Sequence, residues 1–560
     1  MPMISKTNPP RNRWKKYEEH IFVACLMLVV LCMGFIGLGN NHYWDDEAET
    51  AVFAKNYLAR GQFTGWDGRN LYTYRNGAVL DKNLNSINPP LGYYIAAAGF
   101  KMFGVNNAAG RALFVLFGVA ALMVFWLLLR EEFPDDLPLR IYALVLTGLS
   151  SSFILNIRQC RYYALCLFGG VAVYYFYLRA VRESSFSRCL LLASAFVFLF
   201  YSNYLLCTAF LFAMVLVHLI FYARKLTYHS HIRMGMSMLV FALAGIPYAL
   251  YYRIWERHDT EIANSHLVDK LILLYQNVRE LDTTGYLPGI IILAGMVMMI
   301  FLRKKMSFPT AICKWVVIVS GYTIALSALS LQPAIWSGWG GGLADVRYLV
   351  TLLPFCAGMV GVVLYGFHGL RHGVYISILL LIFLLISNIF SFAAVSGGTR
   401  LWLPHLIREI SHDDETSYDA IVGFMRDRTD RDDIVYAYPE YTLNVLQFYL
   451  GDHLRIQGCI RDPFPFQKDA LDKVNGLKYI DESIPHWIVL FGVTPGVKEM
   501  LEYFSRESYV YRPYAVLPVF AVDMTRPELP LHHFGPVTDF DMEKQGIYIL
   551  RREAGSDPPP

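Results

Sequence analysis

Charge is scarce in this chain. Only 17% of its 560 residues are Asp, Glu, Lys or Arg, against 55% hydrophobic. That balance is too apolar for an ordinary soluble protein, and the length is too great for one modest helical bundle. The nine cysteines give no disulfide framework and no Cys-type metal site. Most are scattered through apolar segments (Cys25, Cys32, Cys166, Cys189, Cys207, Cys313 and Cys356), and the polar C-terminal part has only Cys459. There is no Walker-type glycine loop, no internal repeat and no long low-complexity segment. The net charge of +3 is small and gives no reason to expect a nucleic-acid partner. In so apolar a chain, where the basic residues fall matters more than their sum.

What is present is a series of long apolar runs. A basic N-terminus (Lys6, Arg11, Arg13, Lys15, Lys16) precedes a first run from Ile21 to about Leu38, with no small-residue cleavage signature after it, which reads as a retained span. Further runs fall near 108–129, 141–157, 162–178, 189–202, 204–222, 235–252, 288–302, 313–331, 349–366 and 374–395, for about eleven spans in all. Arg130, Arg140, Arg179, Arg182, Arg188, Arg224, Lys225, Arg233 and Arg303-Lys304-Lys305 lie in short loops on the side of the basic N-terminus. By the positive-inside rule that side is cytoplasmic. The other side receives the loop 41–107, a mixed-charge segment around 253–287, a Gly/Trp-rich loop from Gln332 to Arg347, and everything after about Ser396.

The expected organisation is a cytoplasmic tail (1–20), a transmembrane part (21–395) carrying the outer loop 41–107, and an extracytoplasmic unit (396–560). Period-2 runs such as Asp433 to Tyr438 and His486 to Phe491 alternate with helix-like stretches in that last unit, which reads as a small soluble α/β domain.

Three adjacent carboxylates, Asp45, Asp46 and Glu47, follow the first span. Asp46 with Glu49 three residues on has capping-box spacing ahead of a helical pattern that stops at Gly61, so a helix N-cap is the plain reading of Asp46. Three mutually repelling acids exceed what a cap needs, and beside a membrane they call for a cation or a proton. Downstream, Asn88-Pro89-Pro90-Leu91-Gly92-Tyr93-Tyr94 opens an amphipathic helix too short to span, which reads as lying along the interface.

A first span, an acidic motif at its outer end, a short helix and then a Pro-Pro-Leu-aromatic helix together resemble the membrane-embedded GT-C glycosyltransferases. The likeness is to the bacterial relatives of protein O-mannosyltransferases and of lipid A aminoarabinose transferases. Arg158-Gln159-Cys160-Arg161-Tyr162-Tyr163, Tyr201-Ser202-Asn203-Tyr204 and Arg347-Tyr348-Leu349 are similar to further motifs of that class. The chain departs from the pattern where relatives often carry Lys (Asn88), an acid (Gln159) or His (Asn203).

The resemblance implies a GT-C-like polytopic α-helical membrane protein of a bacterial inner membrane, with a C-terminal soluble α/β domain. The implied reaction moves a sugar, with inversion, from a polyprenyl-phosphate donor to an extracytoplasmic lipid A, glycan, glycolipid or protein acceptor. It makes Asp46 the general base, with Asp45 and Glu47 orienting the acceptor or holding a divalent cation such as Mg or Mn. Arg161, Arg347, Arg158 and Lys82 are the candidates for the leaving phosphate, with snorkelling to lipid head groups as their plain alternative. Asn88, Tyr93, Tyr163, Asn203, Tyr204 and Trp339 are candidates for the substrate loops, Trp339 equally fitting an interfacial aromatic belt. A ligase using a pyrophosphate-linked oligosaccharide, a secondary transporter and a non-catalytic membrane scaffold stay open beside this reading.

Overall fold

A computed structural model describes residues 11–71, 88–183, 185–252, 267–302, 310–330, 346–399, 401–413, 415–438, 442–457, 484–491, 510–517 and 546–553. The protein is a polytopic helical membrane protein with a mixed sheet near its C-terminus.

The chain enters through α1 (Arg11–Phe35), forms α2 (Asp45–Arg60) and α3 (Leu91–Phe103) at the end of that helix, and returns in α4 (Asn107–Glu132). Asn106 starts α4 by accepting the Ala109 amide at 2.9 Å, which satisfies one of the amides a helix start leaves over. Close approach sets the α3–α4 packing. A Cβ on Gly110 would lie 2.1 Å from the Tyr43 hydroxyl, and one on Gly99 would lie 2.2 Å from the Ala109 carbonyl oxygen. Only glycine lets these surfaces meet. One face of α3 is buried through Tyr93, Ala96, Ala97 and Phe100, while Tyr94, Met102 and Phe103 are exposed, as suits a helix lying in an interface.

The bundle continues with α5 (Leu137–Gly148), α6 (Ser151–Ile157), α7 (Tyr163–Arg182), α8 (Phe186–Ser202), α9 (Tyr204–Phe221), α10 (Tyr228–Tyr252), α11 (Leu267–Thr283), α12 (Gly289–Leu302), α13 (Thr310–Leu329), α14 (Leu353–Gly366) and α15 (Gly373–Ile386). Among the described residues seven helices are long and apolar enough to cross a membrane, and an eighth is counted if α5 and α6 form one span bent by 55°. The bend falls where Ser150 caps α6 by accepting the Phe153 amide. The other three expected segments are α8, α12 and α15, with 17, 14 and 14 residues, short of the roughly twenty a straight span takes. The expected run 374–395 ends early for a visible reason. Asp282 accepts the Phe392 amide at 3.1 Å and the Ala393 amide at 3.0 Å, starting a separate helix, α16 (Phe392–Gly397).

The helices carry buried charges toward their ends, and these are paired. Arg140 forks onto Glu19 at 3.1 and 2.8 Å, and Lys314 meets Glu132 at 2.6 Å. Removing one member of such a buried pair typically costs about 3 to 5 kcal/mol, because the other is left charged in a low-dielectric interior.

After α17 (Trp402–Ser411) and α18 (Ser417–Arg428) come β1 (Ile434–Tyr438), α19 (Thr442–Leu450), β2 (Arg455–Gln457), β3 (Trp487–Phe491), β4 (Tyr511–Leu517) and β5 (Ile547–Arg552). The sheet order is β2-β1-β3-β5-β4. β1 runs parallel to β2 and β3, whereas β5 is antiparallel to β3 and β4. A parallel pair needs a crossover, and α19 supplies the one between β1 and β2.

That crossover helix also docks on the segment 40–71 that carries α2. The Tyr449 hydroxyl accepts the Tyr43 amide at 2.7 Å and donates to Asn107 Oδ1 at 2.6 Å. Gln447 Nε2 donates to the carbonyls of Gly65 at 2.9 Å and Asn70 at 3.1 Å. Asn70 in turn donates to the Gly451 carbonyl at 2.9 Å and accepts the Ile456 amide at 2.8 Å. Asp419, at the start of α18, accepts the His42 amide at 3.0 Å and pairs with its imidazole. Burial alone would raise the Asp419 carboxyl, but its hydrogen bonds with His42 and Thr416 hold it below its ordinary value. A depressed acid stabilises the fold above its unfolded-state value and loses that contribution as pH falls through the folded one. The stability of this contact is therefore expected to be fully present at neutral pH and to decline below about pH 4. Asp419→Asn should flatten that part of the acid-unfolding profile, measured by tryptophan fluorescence; an unchanged profile would place the acid sensitivity elsewhere.

Candidate active site

The site is built on the first turns of α2. Trp44 is extended at the N-cap position and the acids Asp45, Asp46 and Glu47 occupy the first turn, where the helix dipole favours negative charge. The capping box expected from Asp46 and Glu49 does not form. The Asp46 amide donates to Asp45 Oδ1 at 2.8 Å, and the Glu49 side chain turns outward to other partners. The reason is register: the helix begins at Asp45 with Trp44 as its N-cap, two residues too early for Asp46 to be the cap.

Residues 46, 49 and 50 share one face of the helix, following the i, i+3, i+4 rule. Across that face lies Arg161, from the turn between α6 and α7. Its Nη1 donates to the Asp46 carbonyl, to Glu49 Oε2 and to Thr50 Oγ1, each at 3.0 Å. Its Nη2 stands 3.4 Å from Asp46 Oδ1. Burial works against the Arg161 charge, yet the Asp46 and Glu49 carboxylates outweigh it and push the guanidinium further toward its protonated form. On the other side, Arg347 Nη1 pairs with Asp46 Oδ2. Arg347 belongs to a 3-10 turn (Val346–Leu352) leading into α14, and its guanidinium lies 5.5 Å from the centre of the Trp44 ring. Asp46 is thus held between two guanidiniums with its side chain 24% exposed.

Glu47 points about 100° away around the helix, toward α4. Its two oxygens accept Arg111 Nε at 2.9 Å and Nη2 at 2.7 Å, and Oε1 also accepts the Cys160 amide at 2.6 Å. Arg111 Nη1 donates to the Asn40 carbonyl at 2.9 Å. A carboxylate this buried and this fully bonded is a strut. It fixes the turn that presents Arg161.

The three acids therefore diverge, Asp45 toward a backbone amide, Asp46 toward two arginines and Glu47 toward a third. Such an arrangement does not suit a single cation held by all three, and among the described residues no group of three or more His, Cys, Asp or Glu side chains is placed to hold a metal. Two guanidiniums facing one partly exposed carboxylate can instead bind an anion beside a proton acceptor.

Of the other candidates, Asn88 and Tyr93 converge on Glu49, donating to its Oε1 at 2.6 and 3.1 Å. Arg158 does not join the site. Its guanidinium donates to the carbonyls of Met33, Gly34, Ile36 and Gly37 at 2.6 to 3.1 Å, satisfying oxygens that the end of α1 leaves over. Asn203 caps α9 by accepting the Leu206 amide at 3.1 Å, Tyr204 opens that helix, and Tyr163 is buried against Tyr162. Lys82 and Trp339 lie outside the described residues.

Glu49 and Arg111 also belong to this arrangement. Glu49 is a same-face neighbour of Asp46, a relation that its capping-box spacing hides in the sequence. Arg111 is a charge inside an apolar run, a position that demands a buried partner.

No family model matches the chain. A stretch of 134 residues is 32% identical to an uncharacterised protein of Aquifex aeolicus, covering 24% of this chain and 24% of that protein. The match thus spans about a quarter of the length of that curated relative. Among solved structures, ArnT from Cupriavidus metallidurans bound to undecaprenyl phosphate superposes with a TM-score of 0.55 at 13% identity, over 96% of this chain and 99% of that one. The same protein in its apo state gives 0.53 at 14% identity, over 97% and 100%. At such identities the likeness is one of fold.

Proposed function

Since the chain has the GT-C glycosyltransferase fold, we propose that it transfers a sugar, with inversion at C1, from a polyprenyl-phosphate donor to a hydroxyl or amine of an extracytoplasmic acceptor. The observation that carries this reading is the partly exposed Asp46 carboxylate between Arg161 and Arg347. That ArnT was captured with undecaprenyl phosphate supports a lipid-linked phosphate as the ligand class. The basic bias of the short loops supports a cytoplasmic N-terminus, with the C-terminal unit and α2 and α3 on the opposite side of the membrane.

In this mechanism Asp46 takes the proton of the acceptor O–H or N–H as the acceptor atom bonds to C1. The C1–O bond to phosphate breaks, and its electron pair goes to the phosphate oxygen. Arg161 and Arg347 meet the charge that grows there. Glu49 keeps Arg161 in place, and Glu47 with Arg111 keeps the underlying turn in place. The acceptor is a lipid A, glycan, glycolipid or protein group that reaches the outer loop.

The test is a transfer assay on purified protein with monophosphate-linked and pyrophosphate-linked donors, each with and without a chelator. Transfer is expected from the monophosphate donor, and within a few fold after chelation, because the guanidiniums already balance the leaving charge. Transfer from the pyrophosphate donor alone would make the protein an oligosaccharide ligase. Folded protein inactive on both would reject the reading. Comparing envelope components by mass spectrometry with and without the protein identifies sugar and acceptor together.

A further inference from the structure

The two guanidiniums assigned to the donor phosphate are engaged with the residue assigned as base. Arg347 Nη1 is on Asp46 Oδ2, and Arg161 Nη2 faces Asp46 Oδ1 at 3.4 Å. Both guanidiniums sit on the carboxylate oxygens, the atoms that an incoming acceptor proton would have to reach. A phosphate oxygen and a carboxylate oxygen make the same kind of charge-assisted bond to a guanidinium. They compete for the same N–H groups.

Arg161 is built for such a change of partner. Its Nη1 is anchored on Glu49 Oε2, Thr50 Oγ1 and the Asp46 carbonyl at 3.0 Å each, while the Nη2 contact to the Asp46 carboxylate is longer. Nη2 can change ligand while Nη1 stays. Glu49 is itself steadied by Asn88 and Tyr93.

Resting on the glycosyltransfer reading above, we propose that the donor phosphate and the Asp46 carboxylate exchange places on Arg161 and Arg347. Phosphate binding then frees Asp46 as a base, and the carboxylate that re-forms after turnover expels the polyprenyl phosphate product. The charges follow the reaction. The donor is a phosphodiester with one negative charge, and its product is a monoester that takes on a second when C1–O breaks. Asp46 becomes neutral by accepting the acceptor's proton at the same moment and no longer competes for the arginines. Loss of that proton to water restores the carboxylate and sets it against the product.

The experiment is binding of a polyprenyl monophosphate to the purified full chain and to Asp46→Asn, Asp46→Ala, Arg347→Ala and the Asp46→Asn/Arg347→Ala double variant, each checked for folding. Removing the competing carboxylate is expected to tighten binding by about tenfold in either Asp46 variant, a typical coupling between two sites. Arg347→Ala should weaken binding, and the gain from Asp46→Asn should shrink in its background, since one of the contested groups is gone. Unchanged or weaker binding in both Asp46 variants overturns the exchange. Turnover separates this outcome from failure of the functional reading. Activity lost with binding unchanged removes only the exchange, whereas activity retained in Asp46→Asn removes the base and the exchange with it.

Discussion

Asp46→Asn is expected to lower sugar transfer by about a thousandfold, in the middle of the range for a positioned general base. The amide keeps the size of the side chain and one oxygen that can still accept from a guanidinium, but it cannot take a proton. The loss should appear in kcat, with KM unchanged or lower, because the arginines are left freer for phosphate. Folding should survive, since Glu49 continues to neutralise Arg161. Asp45→Asn is the control. Its Oδ1 accepts the Asp46 amide, a bond that an asparagine oxygen can replace, so turnover should stay within a few fold. The measurement is steady-state transfer at matched folding. Near-parental kcat in Asp46→Asn would sink the assignment, and a dead Asp45→Asn beside an active Asp46→Asn would move the base by one residue.

Arg161→Ala should reduce turnover by about a hundredfold even at saturating donor, the usual cost of losing one donor to a developing oxyanion. A lipid-anchoring arginine would not behave this way, because its contacts do not strengthen in the transition state. Arg161→Lys should recover only part of the rate. A single ammonium cannot hold Glu49 with one nitrogen while presenting another toward Asp46 or phosphate. Arg158→Ala is the informative comparison, since that guanidinium donates to four carbonyls at the end of α1 and its loss should lower thermal stability while leaving kcat little changed. Equal turnover in Arg161→Ala and the parent would return Arg161 to a structural role.

The sequence is most legible where physics is local. Apolar runs announce the long helices, the Pro-Pro-Leu start announces α3, and alternation announces β1 and β3. The meeting of Asp46, Arg161 and Arg347 rests on contacts spanning 115 and 301 positions, and no local pattern encodes which face of α2 they share. Glu47 shows the limit well. As the last letter of an acidic string it looks like a reacting group, yet the string winds around a helix and carries it to Arg111. Arg158 and Arg161 are nearly adjacent and chemically identical. Only the turn between α6 and α7 decides that one holds a helix end and the other faces an acid.

The dock between the segment 40–71 and the α19 crossover sets how the molecule comes into being. The Tyr43 amide waits for the Tyr449 hydroxyl 406 positions later, and Asn70 waits for Ile456 across 386. At ordinary translation speeds of about 5 to 20 residues per second, tens of seconds separate insertion of the first span from arrival of its distant partners. Throughout that interval the start of α2 lacks the support it has in the finished chain. A ribosome that stalls, or a message that stops, between α18 and α19 leaves a membrane-inserted fragment with every acid and arginine of the site but without the α19 and β2 contacts. Such a fragment is a natural substrate for quality-control proteases, and the protein's maturation is timed by the arrival of α19 and β2.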